Sequence, residues 1–380
     1  MESIIKNIGR NIRKCRGKLG LLQSDLAAKI GYSVKTISKW ECGKGAPPAE
    51  VLPALAKHLH TSIDSLLSES GQGVQYFLGI DGGGTKTDFA LTDSEGNLLS
   101  RVILGACNPN DVGMPAVQDV LLRGIIEVCA QYPKASTSVF LGFAGGASDK
   151  YAQKMYDFLS TFGFSKVGVG EDTQNSVAAG LGDENGVAVI MGTGSVVYAK
   201  HNEEFYRYGG YGYLLGDAGS GFAIGRDTLQ AALMAEDGCG ADTLLHKYVL
   251  EACGGETVFE RIDDLYRGGK REIAKYAPLA FRAVSEGDTV AHDMLERNFG
   301  ELARLIDCAS KKFENKCVKV VLCGGMTADS AIVLPILKNA LSASDKTIEF
   351  ECCHKPMVWG ALRLAGMPDV DFEGVKAKWN

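Results

Sequence analysis

No stretch of this 380-residue chain stays apolar long enough to cross a bilayer, which excludes a helical membrane protein. Its first residues, MESIIKNIGRNIRK, lack the apolar centre and cleavage site of an export signal, so a cytoplasmic address is expected. Paired cysteines are missing too. The 11 cysteines show no C-x-x-C and no framework spacing, and some lie in apolar runs such as VVLCGG. Reduced thiols are expected rather than disulfides or structural zinc. Two common phosphate loops are also absent. Gly79 and Gly84 have the spacing of G-x-x-x-x-G-K-[ST], but Thr85 stands where that loop needs lysine. The dinucleotide pattern fails as well, because no third glycine falls at the required offset and a strand follows where a helix should.

Charge is present but unevenly placed. Residues 1–72 carry 11 Lys and Arg against 6 Asp and Glu, whereas the rest of the chain carries 29 against 40. A basic head on an acidic body suggests two jobs, the head meeting something anionic. That head reads as five short helices. Leu26, Ala27 and Ile30 have helical spacing, and Gly31 supplies a C-cap that tolerates positive φ. Ser33 reads as the N-cap of a helix that turns Ile37 and Trp40 inward. Two helices joined by a short Gly-containing turn make a helix-turn-helix. The stretch LLQSDLAAKIGYSVKTISKWECGKGAPP and the closing HTSIDSLL resemble the Cro/repressor-like (XRE) family over about residues 4–68. The resemblance implies double-stranded DNA as partner, bound by a homodimer, with Gln23, Ser33, Lys35, Thr36 and Lys39 as contact residues. The plainer reading of the lysines is a solvated helix face.

After a small, polar SESGQGVQ, strand-like and helix-like runs alternate from Tyr76 onward, the pattern of an α/β body. Two regions share the plan of apolar strand, glycine turn and second strand, which suggests two similar lobes with a cleft. In the first, FLGIDGGGTKTDFALTD, Gly82, Gly83 and Gly84 let backbone N–H groups approach an anion, and Thr85 and Thr87 add hydroxyls. Asp81 cannot favour a bare phosphate, so it is read as holding Mg²⁺ directly or through water. In the second, VAVIMGTGSVV, Gly192, Thr193, Gly194 and Ser195 offer a matching grip. Between them a strand ends at Glu171-Asp172, and a carboxylate there can accept a proton from a hydroxyl nucleophile. The alternative is a helix cap. GGYGYLLGDAGSGFAIG combines aromatics with Asp217, a set suited to a polyhydroxylated ring. VVLCGGMTAD places Gly324-Gly325 where a flat base can lie on the backbone.

In this order the motifs resemble the ASKHA (actin-like) sugar kinases over residues 76 to about 366. Within them they resemble the N-acetylglucosamine kinase branch of the BadF/BadG/BcrA/BcrD-type ATPases. GIDGGGTKTD matches the phosphate-1 motif, IMGTGS the phosphate-2 motif and LCGGM the adenosine motif. The resemblance implies an all-α helix-turn-helix head fused to an α/β actin-like (ribonuclease H-like) two-lobed kinase body. The head would span 1–70, a linker 71–75, lobe I 76–184, lobe II 185–354, and a C-terminal helix 355–380 packing back on lobe I. It implies ATP and Mg²⁺ as cofactors and an amino sugar phosphorylated at its 6-hydroxyl, with Asp172 as base. Asp81, Gly83, Gly84, Thr85, Thr87, Gly192, Thr193, Gly194, Ser195, Gly324, Gly325 and Met326 would hold the nucleotide. Asn108, Gly145, Asp172, Gly210, Tyr211 and Asp217 would hold the sugar. Ala218 stands where the family usually has Glu, and Tyr211 where it often has Trp. The cluster-bearing dehydratase activators of the superfamily need paired cysteines, and the ROK proteins a C-x-C-G-x-x-G-C zinc motif; neither is present. Two alternatives stay open: a transcription factor whose body senses sugar without turnover, and an ATPase acting on a partner protein.

Overall fold

The structure is a computed structural model that describes residues 2–59, 61, 63–67, 75–146, 148–202 and 204–379. Apart from Gln75, the expected linker lies outside the described residues. The described head holds five α-helices: α1 (Glu2–Lys18), α2 (Gln23–Ile30), α3 (Val34–Glu41), α4 (Leu52–His58) and α5 (Ile63–Leu67). Gly31 ends α2 with φ 72°, and Ser33 Oγ accepts the Thr36 N–H to open α3. Ile8, Ile12, Leu26, Ile37, Trp40, Leu55 and Leu66 make the buried centre. A Cβ on Gly9 would lie 2.0 Å from Trp40 O, so α1 crosses α3 only because that position is glycine.

The body has ten strands in two sheets among the described residues. The first joins β1 (Tyr76–Gly82), β2 (Thr87–Asp93), β3 (Leu98–Leu104), β4 (Thr137–Phe143) and β5 (Lys166–Glu171) in the order β3-β2-β1-β4-β5. The second joins β6 (Gly186–Met191), β7 (Ser195–His201), β8 (Glu204–Tyr208), β9 (Cys317–Cys323) and β10 (Thr347–Cys352) in the order β10-β9-β6-β7-β8. The plan repeats. In each sheet a three-stranded antiparallel meander adds two parallel strands beside its first strand. Parallel neighbours need helical crossovers, here Met114–Val128 and Asp149–Ser160 in the first sheet and Ser330–Ala340 between β9 and β10 in the second.

The chain divides into two compact units, residues 1–175 with 357–380, and 176–356. The division falls inside the helix Asp172–Leu181, ahead of the expected lobe boundary at 184/185. In the first unit the helix Met357–Leu364 lies on β1. A Cβ on Gly79 would come within 2.7 Å of Val358 O and 2.8 Å of Leu362 N. Gly79, whose spacing mimics a phosphate loop, therefore serves helix packing. Trp359 anchors the same contact, edge-on to Phe372 at 4.8 Å and Trp379 at 5.2 Å. No described helix is long and apolar enough to cross a membrane.

Candidate active site and DNA-contacting face

In the first unit β1 and β2 form a hairpin with Gly82 opposite Thr87. Gly83 N–H donates to Lys86 O across the turn, and the carbonyls of Gly82 and Gly83 accept from Ala144 and Cys107. A Cβ on Gly82 would lie 3.0 Å from Cys107 Sγ, which explains that glycine by close approach. Thr85 is exposed at the tip of the turn. Thr87 is fully buried and its Oγ1 donates to Gly105 O at 2.7 Å, so it braces the hairpin from behind. That use of the hydroxyl differs from the expected phosphate contact.

Asp81, one residue before the turn, is the perturbed group. Burial pushes its carboxyl up to about 7, helped by the negative charges of Asp172 and Asp88. A hydrogen bond opposes this: Asn175 Nδ2 donates to Asp81 Oδ1 at 2.7 Å. Asp172 follows β5 and begins the helix Asp172–Leu181, and burial raises its pKa against the pull of the Thr173 backbone N–H. Asn108 and Gly145 are neighbours, a Cβ on Gly145 falling 3.4 Å from Asn108 Oδ1. Asn108 also caps the helix Pro109–Val112 through the Asn110 N–H.

The second unit repeats the hairpin. Met191 faces Ser195, and Gly192 N–H donates to Gly194 O within the turn. Thr193 is exposed, while Ser195 is buried and donates its hydroxyl to Ala218 O at 2.6 Å. Gly221 and Phe222 N–H donate to the carbonyls of Gly192 and Thr193, seating the start of the helix Gly221–Glu236 on the turn. Asp217 is buried, holds φ 62°, and pairs with Lys270 Nζ at 2.7 Å. Gly324 takes φ 101°, and a Cβ on it would strike Met191 O at 2.3 Å. Gly325 begins the short helical turn Gly325–Asp329, and Met326 Cε lies 3.2 Å from where a Cβ of Gly221 would stand. The unit thus gathers Gly192–Ser195, Asp217, Gly324 and Met326. Gly210 has φ 69° and its carbonyl accepts from Arg207, whose guanidinium lies 6.0 Å from the ring of exposed Tyr211.

Comparison with known proteins fits this arrangement. Residues 78–358 match the model of the BadF/BadG/BcrA/BcrD ATPase family. This chain belongs to that family. Residues 12–66 separately match a helix-turn-helix model. An N-acetylmuramic acid/N-acetylglucosamine kinase of Clostridium acetobutylicum is 30% identical over 301 residues, covering 77% of this chain and 98% of that protein. An N-acetyl-D-glucosamine kinase of Dictyostelium discoideum is 28% identical over 287 residues, 70% and 90% of the two chains. A Chromobacterium violaceum structure, provisionally assigned as an N-acetylglucosamine kinase, aligns with a TM-score of 0.62. It has 26% identity and covers 77% of this chain and 99% of its own.

Two polar residues of this BadF/BadG-type chain escaped the motif reading, Asn175 and Lys270. Asn175 stands three residues after Asp172, a spacing that puts both on one helix face. Lys270 follows two glycines inside a helical run, a weak signal. In the head, Gln23 Nε2 donates to Glu41 Oε2 at 2.7 Å, and Arg16 clasps both oxygens of that carboxylate. The Gln23 amide is therefore engaged by a buried carboxylate within the head. Ser33 and Thr36 hydroxyls bond each other at 2.8 Å, and Lys35 and Lys39 are exposed one turn apart on α3.

The Asp81 shift has a stability consequence of definite sign. Its folded pKa lies above the usual carboxylate value, so protonation favours the folded chain. The contribution is complete below about pH 4 and is lost as pH rises through about 7. Without divalent cations, the thermal midpoint should fall between pH 5 and pH 8, and Asp81→Asn should flatten that fall. Identical slopes in both proteins would contradict the assignment.

Proposed function

We propose that this chain is an ATP-dependent amino-sugar kinase, acting on N-acetylglucosamine or glucosamine at the 6-hydroxyl, that also binds DNA through its head. The observation that carries the reading is Asp172, a half-buried carboxylate directly after a strand, whose charge also raises the half-buried Asp81. Asp172 accepts the proton of the sugar hydroxyl as that oxygen attacks. Its raised pKa makes it a better acceptor than an exposed aspartate and places the rise of activity above the usual carboxylate range. Asn108 and Gly145 orient the sugar, with Gly210 and the exposed Tyr211 as further sugar contacts.

The turns at Gly82–Thr85 and Gly192–Gly194 take nucleotide phosphates, with the exposed hydroxyls of Thr85 and Thr193 as donors. Thr87 and Ser195 hold those turns in shape. Gly324, Gly325 and Met326 take the adenine end. The donor set at Asp81 fits a hard cation. A carboxylate that burial keeps partly protonated gains from a positive charge, and Asn175 Oδ1 is a buried oxygen with no hydrogen-bond partner. Bound there, Mg²⁺ would offset phosphate charge.

A second reading, a sugar sensor without turnover, is favoured by Ala218, which places a methyl where relatives in the resemblance carry a carboxylate. ADP release with Mg-ATP across N-acetylglucosamine, glucosamine, N-acetylmuramic acid and glucose separates the two. A sugar-dependent signal that Asp172→Asn cuts by about a hundredfold or more supports the kinase. Sugar binding without ADP release supports the sensor.

For the head, α3 enters the major groove of a duplex as part of a homodimer, and Lys35 and Lys39 meet phosphates. On a mixed-sequence duplex, Lys35→Ala and Lys39→Ala should each weaken binding and each lower the slope of log affinity against log salt by about 1. An unchanged slope would remove both lysines from the interface.

A further inference from the structure

We propose that Lys270 is a nucleotide-phosphate ligand and that Asp217 acts by holding it in place; this rests on the nucleotide-binding part of the reading above. Lys270 Nζ lies against the second turn. A Cβ on Gly194 would fall 2.9 Å from Nζ and 2.8 Å from Asp217 Oδ2, so the ion pair sits one atomic layer from the turn backbone. Any other residue at 194 would push the pair away.

The turn needs such a cation because its nearest helix start is already engaged. A helix N-terminus ordinarily offers N–H donors to an anion. Here Gly221 N–H goes to Gly192 O at 2.8 Å and Phe222 N–H to Thr193 O at 3.1 Å. Ala223 N–H goes to Ser220 Oγ at 3.2 Å. These donors shape the turn, so at this turn a protein cation for a phosphate comes from a side chain rather than from the helix start.

Lys270 is built to supply it. Its side chain is 30% exposed while that of Asp217 is 5% exposed. An ammonium has three donors, and the bond to Asp217 takes one. The exposed side is open to a second anion, with the Tyr213 ring 5.9 Å away on another flank. The backbone on both sides is unusual. Asp217 holds φ 62°, a left-handed conformation that non-glycine residues rarely adopt. The helix Ile262–Ala274 breaks at Gly269, with φ 60° and ψ −151°, immediately before Lys270. Glycines disfavour a continuous helix, and the break at this pair aims the lysine at the turn. A carboxylate committed to an ammonium at 2.7 Å is thereby a positioning residue for that ammonium, which revises the sugar contact expected of Asp217.

Calorimetric titration of the full chain, without sugar, tests this with MgADP and with adenosine. Lys270→Met should weaken MgADP by about tenfold or more and leave adenosine unchanged. Lys270→Arg should restore most of the MgADP affinity. Asp217→Asn should weaken MgADP in the same direction, again sparing adenosine. Equal MgADP affinity in Lys270→Met and the parent would overturn the proposal, and so would parallel losses of MgADP and adenosine. Absence of MgADP binding to the parent chain would overturn it too. The readout needs no phosphotransfer, so a chain that binds MgADP through Lys270 yet phosphorylates no sugar would sink the kinase reading and keep this one.

Discussion

The hydrogen bond from Asn175 Nδ2 to Asp81 Oδ1, 2.7 Å long, ties the end of β1 to the helix that Asp172 begins. It forms in a place that disfavours charge. Burial, with the Asp172 and Asp88 carboxylates adding to it, lifts Asp81 to about 7. Asp88 is compensated by Arg101, which contacts both its oxygens, at 3.0 and 2.7 Å. Asp81 has an amide donor instead, whose own Oδ1 is left without a partner. A group in that position is poorly satisfied by the protein alone, which is the physical reason to assign it to a cation. The same amide lies over Gly142, where a Cβ would come within 2.3 Å of Oδ1. Glycine on β4 is thus part of the device.

The two hairpins share a division of labour that spacing alone does not disclose. In each, the residue that opens the second strand buries a hydroxyl and gives it to a distant carbonyl, Thr87 to Gly105 and Ser195 to Ala218. The hydroxyls inside the turns, on Thr85 and Thr193, stay exposed. Alternation along a strand accounts for this, since successive side chains point to opposite faces and only the turn residues escape the sheet. The residue at 218 contributes its backbone to the second brace, so replacing a carboxylate by a methyl there leaves the Ser195 bond intact.

Much of this was legible beforehand because glycine clusters, strand-turn-strand plans and caps are local signals. Gly31, Ser33, Ile37 and Trp40 of the head occupy their expected roles, and the family of the body could be read from ordered motifs. What was not legible depends on partners far along the chain. Asn175 meets Asp81 across 94 positions and Lys270 meets Asp217 across 53. Gln23 reads as a DNA-contacting residue, and its bond to Glu41, 18 positions on, is not visible in the local pattern. Gly79 has the spacing of a phosphate loop that Thr85 rules out, and its packing role shows only where the helix Met357–Leu364 covers it. Local pattern identifies where chemistry is gathered, and tertiary contact decides which side chains are left to perform it.

The charge state of Asp81 is the point on which the account turns. Selective ¹³C labelling of aspartate carboxyls, followed by pH titration of the cation-free chain, measures it directly. One carboxyl resonance should titrate near pH 7, vanish in Asp81→Asn, and shift to the ionised position at neutral pH when Mg²⁺ is added. If Asp81 titrates in the ordinary carboxylate range, or if its resonance ignores Mg²⁺, this half-buried carboxylate is no cation site and the account of this site is wrong.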